Sequence, residues 1–352
     1  MKKTIFNILR FSFFLGIGIF FIWLFMRNLT HGQKQEIFQS LKIANYYWIV
    51  AAIFLGTLSH LSRTLRWKIL MEPLGYKPRT SNVFMAVMIG YLANLALPRL
   101  GEVSRCGILT RYEKIPFNKS FGTVITERAI DMLSFILLFF LMLITQSGKL
   151  QIYIEQKIYE PLQRKFNLAA DPDFFLIIVL IVVVATGILM FLIIRRKFRH
   201  TTIYMKFSAL FTGFLEGIRS LAKVKRPYQF IAHTFFIWFL YLLMAYIVFF
   251  SLKDTSGLGL DAGLAVLIFG SIGIMIVQGG IGIYPAIVAE TLFIYSIPAT
   301  TGYALGWLIW SSQTIMILLA GVFSLLLLPV LNKSAYDKAG NVAEEDTQSS
   351  GT

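Results

Sequence analysis

Runs of apolar residues separated by short basic stretches set the pattern of this chain. Eight such runs can be marked, at about 6–26, 46–62, 82–97, 121–145, 174–194, 229–251, 261–277 and 303–331. Several are long enough for a helix to cross a hydrocarbon core of about 30 Å, which takes roughly 20 residues. The pattern predicts an all-α polytopic membrane protein. The first run follows Lys2, Lys3 and Arg10 as a secretory signal would, but it is long and lacks an Ala-x-Ala cleavage site, so it reads as an uncleaved span.

The third and seventh runs differ from the rest. One ends in Leu97-Pro98-Arg99-Leu100-Gly101-Glu102 and the other in Gln278-Gly279-Gly280-Ile281-Gly282-Ile283-Tyr284-Pro285, and a short apolar segment follows each break. If all eight runs alternated across the bilayer, Lys and Arg would be split almost evenly between the two sides, against the tendency of basic residues to stay cytoplasmic. If the third and seventh turn back at their breaks, most basic residues fall on one side. The arithmetic predicts about six full spans plus two re-entrant helical hairpins, with cytoplasmic N- and C-termini.

That threading contains a regularity. Its halves, about 1–145 and 174–331, repeat the order span, span, hairpin, span from opposite starting sides. This is an inverted-topology repeat, an arrangement in which transporters hold substrate near the midplane at matching helix breaks. A transmembrane domain over 1–331 and a disordered, cytoplasmic polar tail over 332–352 complete the expected organisation. The segments 146–173 and 195–228 alternate apolar and polar residues and read as helices lying in the interface.

Composition narrows the function classes. Of the 352 residues 57% are hydrophobic and 14% charged, with a mean hydropathy of +0.69. The net charge of +15 comes from clusters beside apolar runs, the pattern of cytoplasmic anchoring in a cell membrane rather than of nucleic-acid binding. A single cysteine, Cys106, excludes a disulfide framework and a cysteine metal site. The four histidines lack ligand spacing and no phosphate-binding Gly-rich loop is present, so the expectation is no enzyme, no cofactor and no metal.

Four groups of residues carry candidate chemistry. Asn94, Pro98, Arg99, Gly101, Glu102 and Arg105 surround the first break, where a restarting helix offers free N–H groups and a positive dipole end that suit a lipid phosphate. The alternative is a surface loop with a Glu102–Arg105 pair. Glu127, Arg128 and Asp131 sit inside an apolar run, where ionisable residues mark substrate or proton paths or form a structural ion pair. Arg63, Arg66 and Trp67 close the second run, either as snorkelling interface residues or as a head-group-recruiting pair at the cytoplasmic mouth. Gly279, Gly280, Gly282 and Tyr284 form the second break, and Glu290 beyond it either titrates or is solvated at the outer surface.

Arg63-Thr64-Leu65-Arg66-Trp67, Asn94 through Glu102 to Arg105, Glu127-Arg128-Ala129-Ile130-Asp131 and Gly279-Gly280-Ile281-Gly282, in that order, resemble the flippase-like transmembrane region of lysylphosphatidylglycerol synthases. The likeness covers roughly residues 5–331. It implies a membrane domain that moves a phospholipid or lipid-linked head group between leaflets, with membrane lipid as the partner. The family often places a Glu soon after the Gly-rich motif, whereas here Tyr284-Pro285 follows and the next acid is Glu290. The synthases also carry a soluble domain that uses aminoacyl-tRNA, and its absence by Thr352 implies no lipid aminoacylation by this chain alone. Two further readings stand beside translocation. One is a small-anion transporter coupled to protons through Glu102, Glu127, Asp131 or Glu290. The other is a non-transporting scaffold for a lipid-modifying enzyme or glycosyltransferase.

Overall fold

A computed structural model describes residues 16–27, 29–97, 99–155, 159–160 and 224–333. Helices joined by short turns account for these residues, with no strand among them. In chain order they are α1 (Gly16–Arg27), α2 (His31–Ile43), α3 (Tyr46–Met71), α4 (Thr80–Ala96), α5 (Leu100–Glu113) and α6 (Phe117–Thr145). The series continues with α7 (Ser147–Ile154), α8 (Pro227–Ile247), α9 (Leu260–Ile276), α10 (Ile283–Phe293) and α11 (Ala299–Leu331).

Local chemistry sets several of these boundaries. Thr30 begins α2 through a reciprocal capping box, its hydroxyl accepting from the Gln33 N–H at 3.2 Å while its own N–H donates to Gln33 Oε1 at 2.9 Å. Asn45 caps α3 by accepting from the Tyr47 N–H at 3.1 Å. A 3-10 turn over Glu72–Leu74 and left-handed Gly75 end that helix, and Pro227 opens α8 at its first position.

The candidate spans are Tyr46–Leu74, Phe117–Thr145, Pro227–Ser251 and Ala299–Leu331, each long and apolar enough to cross a bilayer. Helices α4 and α9 have 17 residues each, about 25 Å of helix and short of the hydrocarbon thickness. The protein is therefore an all-α polytopic membrane protein. Three boundaries differ from the sequence expectation. The second apolar run ends at 62 but α3 continues to Met71, because Arg63, Arg66 and Trp67 are buried rather than placed at an interface. Helix α2 was not marked by hydropathy, since it buries little beyond Ile37. Asn332, expected to begin a free tail, is buried against Asn82. The run at 174–194, most of 146–173 and 195–228, and residues 334–352 lie outside the described residues.

The chain forms two units, Met1–Val124 with Lys223–Thr352, and Ile125–Ala222. In the first, α3 and α8 lie antiparallel. The Asn45 N–H donates to the Ser251 carbonyl at 2.8 Å near one end, and Ser62 meets His233 at 2.9 Å towards the other. Helix α11 runs antiparallel to α4, with Asn332 at Asn82 and Gly321 against Leu92. The core gathers Phe249, Val288, Leu292, Tyr303 and Leu305 from α8's extension, α10 and α11. Leu319, Phe323, Leu326 and Val330 form an exposed stripe along α11, as expected where lipid is the solvent. In the second unit, α6 exposes Leu137, Phe140, Leu141 and Ile144.

Candidate functional site at two helix breaks

Each interrupted run folds as an antiparallel helical hairpin. In the first, α4 and α5 approach so closely that a Cβ on Gly101 would meet the Gly90 carbonyl oxygen, and Asn82 near the start of α4 donates to Glu113 at the end of α5. The Asn94 side-chain oxygen Oδ1 accepts from the Gly101 N–H at 2.7 Å. The side chain of the first arm therefore caps the second, and one of the N–H groups expected to be available for an anion is already satisfied. Arg99, at the turn, is exposed and holds φ +65°. Pro98 lies outside the described residues.

The second hairpin pairs α9 with α10. Gly270 faces the Tyr284 ring and Gly273 faces Ile287. Between the arms Gly279, Gly280 and Gly282 all have positive φ, near +70°. At Gly282 a side chain is barred twice, by its φ of +71° and by the Gly18 carbonyl of α1 packed against it. Trp310 Nε1 on α11 donates to the Gly279 carbonyl at 2.6 Å, and buried Tyr284 is hydrogen-bonded to Gln313. The two tips meet, since Gly279 packs against Leu95, one residue beyond Asn94.

A belt of buried polar side chains continues from the first break into the α3–α8 interface. Arg105, 3% exposed, lies over the Trp67 ring with its guanidinium carbon 4.6 Å from the centroid. Trp67 Nε1 donates to Thr123 Oγ1 at 2.8 Å, which fixes the indole plane. Arg66, fully buried, donates to Thr234 Oγ1 at 3.2 Å and lies over Phe230, while buried Arg63 donates to the Tyr241 hydroxyl at 3.2 Å. The His60 ring packs at a tilt against Tyr91, one turn before Asn94, with ring centroids 4.5 Å apart and planes at 52°.

The fold thus brings Arg63, Arg66, Arg105, Asn94 and the glycine-rich turn into one continuous region of the first unit. Interface snorkelling for Arg63, Arg66 and Trp67 is corrected: these side chains close a helix–helix contact instead of reaching water, because α8 supplies hydroxyl and aromatic partners for the guanidiniums. Glu102 is half-buried on α5, and Glu290 is exposed near the end of α10. Glu127, Arg128 and Asp131 lie on the α6 portion of the second unit, where Glu127 is buried, Asp131 half-buried and Arg128 exposed.

Sequence reasoning did not single out Tyr91, Thr123, Thr234 or Tyr241, nor His60 and His233 as neighbours of the arginines. They carry no local motif, although Thr234 and Tyr241 lie seven apart and so share a face of α8. Among the described residues no group of three His, Cys, Asp or Glu side chains could hold a metal ion.

Four long apolar helices, two shorter helix pairs broken at glycine-rich or arginine-bearing turns, and arginines buried between helices define a multi-pass membrane protein with a polar interior. The chain belongs to the family of the lysylphosphatidylglycerol synthase TM region, whose model matches residues 8–321. It is also 29% identical over 138 residues to the UPF0104 membrane protein MJ1595 of Methanocaldococcus jannaschii, a match covering 38% of this chain and 38% of that protein. The aligned part is thus well under half of the relative's length. No solved structure matches.

Proposed function

We propose that this protein moves a membrane lipid between leaflets, its phosphate-bearing head group passing along the buried arginines while the tails stay in lipid. The observation that carries this reading is the burial of Arg63, Arg66 and Arg105 among apolar helices, against hydroxyls and aromatic rings, beside two helix breaks that meet. Removing a guanidinium from water costs several kcal/mol. In membrane helices such groups mark pathways for ions and substrates. A guanidinium also presents a planar fork of donors matched to phosphate.

The arrangement is read as an inverted repeat. Span α3, hairpin α4–α5 and span α6 correspond to span α8, hairpin α9–α10 and span α11. Support comes from α3 and α8, the equivalent first helices, which run antiparallel as inversion requires. The hairpins are taken as re-entrant because α4 and α9 are shorter than a span. The distribution of basic residues puts both termini on the cytoplasmic side of the cell membrane.

The test is reconstitution into vesicles carrying fluorescent phospholipid, with an impermeant quencher reporting exchange between leaflets. Wild-type protein should speed exchange and Arg105→Gln should abolish it while still extracting as a folded species. Undiminished exchange by a folded Arg105→Gln protein would overturn the assignment of the arginine. No exchange by wild type would favour a scaffold.

A further inference from the structure

Away from the arginine belt, an open cavity of about 860 Å³ lies between α2, the Lys253–Thr255 turn and the start of α11. Its position follows from the ends of three candidate spans, which fall at Tyr46, Ser251 and Ala299. Cavity residues Ile43, Asp254 and Pro298 lie just beyond those ends. Exposed Phe38, Ile43, Tyr46 and Tyr47 gather at the same level, the signature of a membrane–water interface. The cavity therefore stands at head-group depth. The Arg66–Thr234 contact lies towards the opposite ends of α3 and α8, so the two sites belong to opposite faces of the membrane.

The lining carries both signs of charge. Glu36 and Asp254 supply carboxylates, and Lys42 supplies an ammonium. The cavity also receives the N-terminus of α11, a helix of 33 residues whose first turn has no side-chain cap, so that N–H groups and the positive dipole end face it. Thr300 and Thr301 in that turn are each only 7% exposed and line the cavity, and among the described residues neither hydroxyl meets a hydrogen-bond partner. Two hydroxyls that open onto the cavity without a protein partner, beside the helix N–H groups, suit a ligand rich in acceptors.

We propose that this cavity binds the head group of a zwitterionic phospholipid of the phosphoethanolamine type. Its phosphate would be held by the first turn of α11, Thr300, Thr301 and Lys42, and its ammonium by Glu36 and Asp254. The exposed Phe38 and Ile43 border the cavity where the glycerol and upper acyl chains of such a lipid would lie. A purely anionic head group would leave both carboxylates facing like charge, and a neutral sugar would leave the lysine and the helix dipole without a counter-charge. The site stands independently of whether the protein carries lipid across the bilayer, since it is defined by binding at one face.

Hydrogen–deuterium exchange on the full chain in nanodiscs tests the assignment. The discs hold phosphatidylglycerol alone, phosphatidylglycerol with phosphatidylethanolamine, or phosphatidylglycerol with a neutral monoglycosyl diacylglycerol. Peptides covering 31–43, 252–256 and 298–302 should gain protection with phosphatidylethanolamine only, and the gain should vanish in the double variant Glu36→Gln/Asp254→Asn. These are exposed positions whose substitution leaves the core intact. Thr300→Val/Thr301→Val should reduce the gain at 298–302. Equal protection in all three discs, or a gain unchanged in the carboxylate variant, would overturn the proposal. Soluble glycerophosphoethanolamine at the same concentration should not reproduce the effect, and protection by it would overturn the assignment to a lipid. Because transport is not read, failure here is distinct from failure of the translocase reading.

Discussion

The packing of the first hairpin can be tested with two alanines on one helix. Gly101 and Gly107 both lie in α5, but a Cβ at Gly101 would run into the Gly90 backbone oxygen and come within 2.7 Å of the Asn94 amide, whereas a Cβ at Gly107 meets nothing within 4 Å. The obstructing oxygen belongs to backbone and cannot rotate away, so Gly101→Ala must separate the two arms or displace Asn94. Overpacking of this kind costs about 1–3 kcal/mol. Loss of the Asn94–Gly101 hydrogen bond adds about 1 kcal/mol, for a total of about 2–4 kcal/mol. Gly107→Ala gains about 0.8–1 kcal/mol from helix propensity alone. The two substitutions, chemically identical and six residues apart, should therefore shift stability in opposite directions. Thermal unfolding in one detergent at one scan rate is the appropriate readout, since large proteins often unfold irreversibly. A Gly101→Ala protein as stable as Gly107→Ala would refute the close approach of α4 and α5, and with it the hairpin that presents Arg105 to Trp67.

The reciprocal amide pair of Asn82 and Asn332, joined at 2.9 and 3.0 Å, clasps the start of α4 to the end of α11. Asn332→Leu should lower stability by about 1–3 kcal/mol, because the oxygen of the buried Asn82 amide loses its donor while its NH2 keeps Glu113, and adding Asn82→Leu should cost less than it does alone, as a double-mutant cycle measures. The orientation of α6 can be checked by thiol labelling after Cys106→Ser. Single cysteines at exposed Gly148 and Asn118 should react with an impermeant reagent in intact cells at the first position and not at the second. The opposite pattern would reverse the threading and remove the support for cytoplasmic termini.

Much of this architecture is legible without coordinates because lipid imposes simple rules on sequence. A helix that must cross about 30 Å of hydrocarbon needs a long apolar run, so α3, α6, α8 and α11 announce themselves, and the runs that fall short at Leu97 and Val277 mark the two hairpins. The glycines of the second break were readable for the same reason, since backbone at φ near +70° strongly favours residues without a Cβ. What the chain could not disclose was the destination of its polar side chains. Arg63, Arg66 and Trp67 look like the wet end of a span, and only the antiparallel docking of α8, which brings Thr234, Tyr241 and Phe230 from some 170 residues away, turns that end into an interior. The same holds for Asn94, whose role as the cap of α5 depends on the arms closing across Gly90 and Gly101. Hydropathy reports how much of a helix can enter lipid, a property of each segment alone. Which polar groups meet inside depends on helix pairing, and that is settled by close packing between residues distant in sequence.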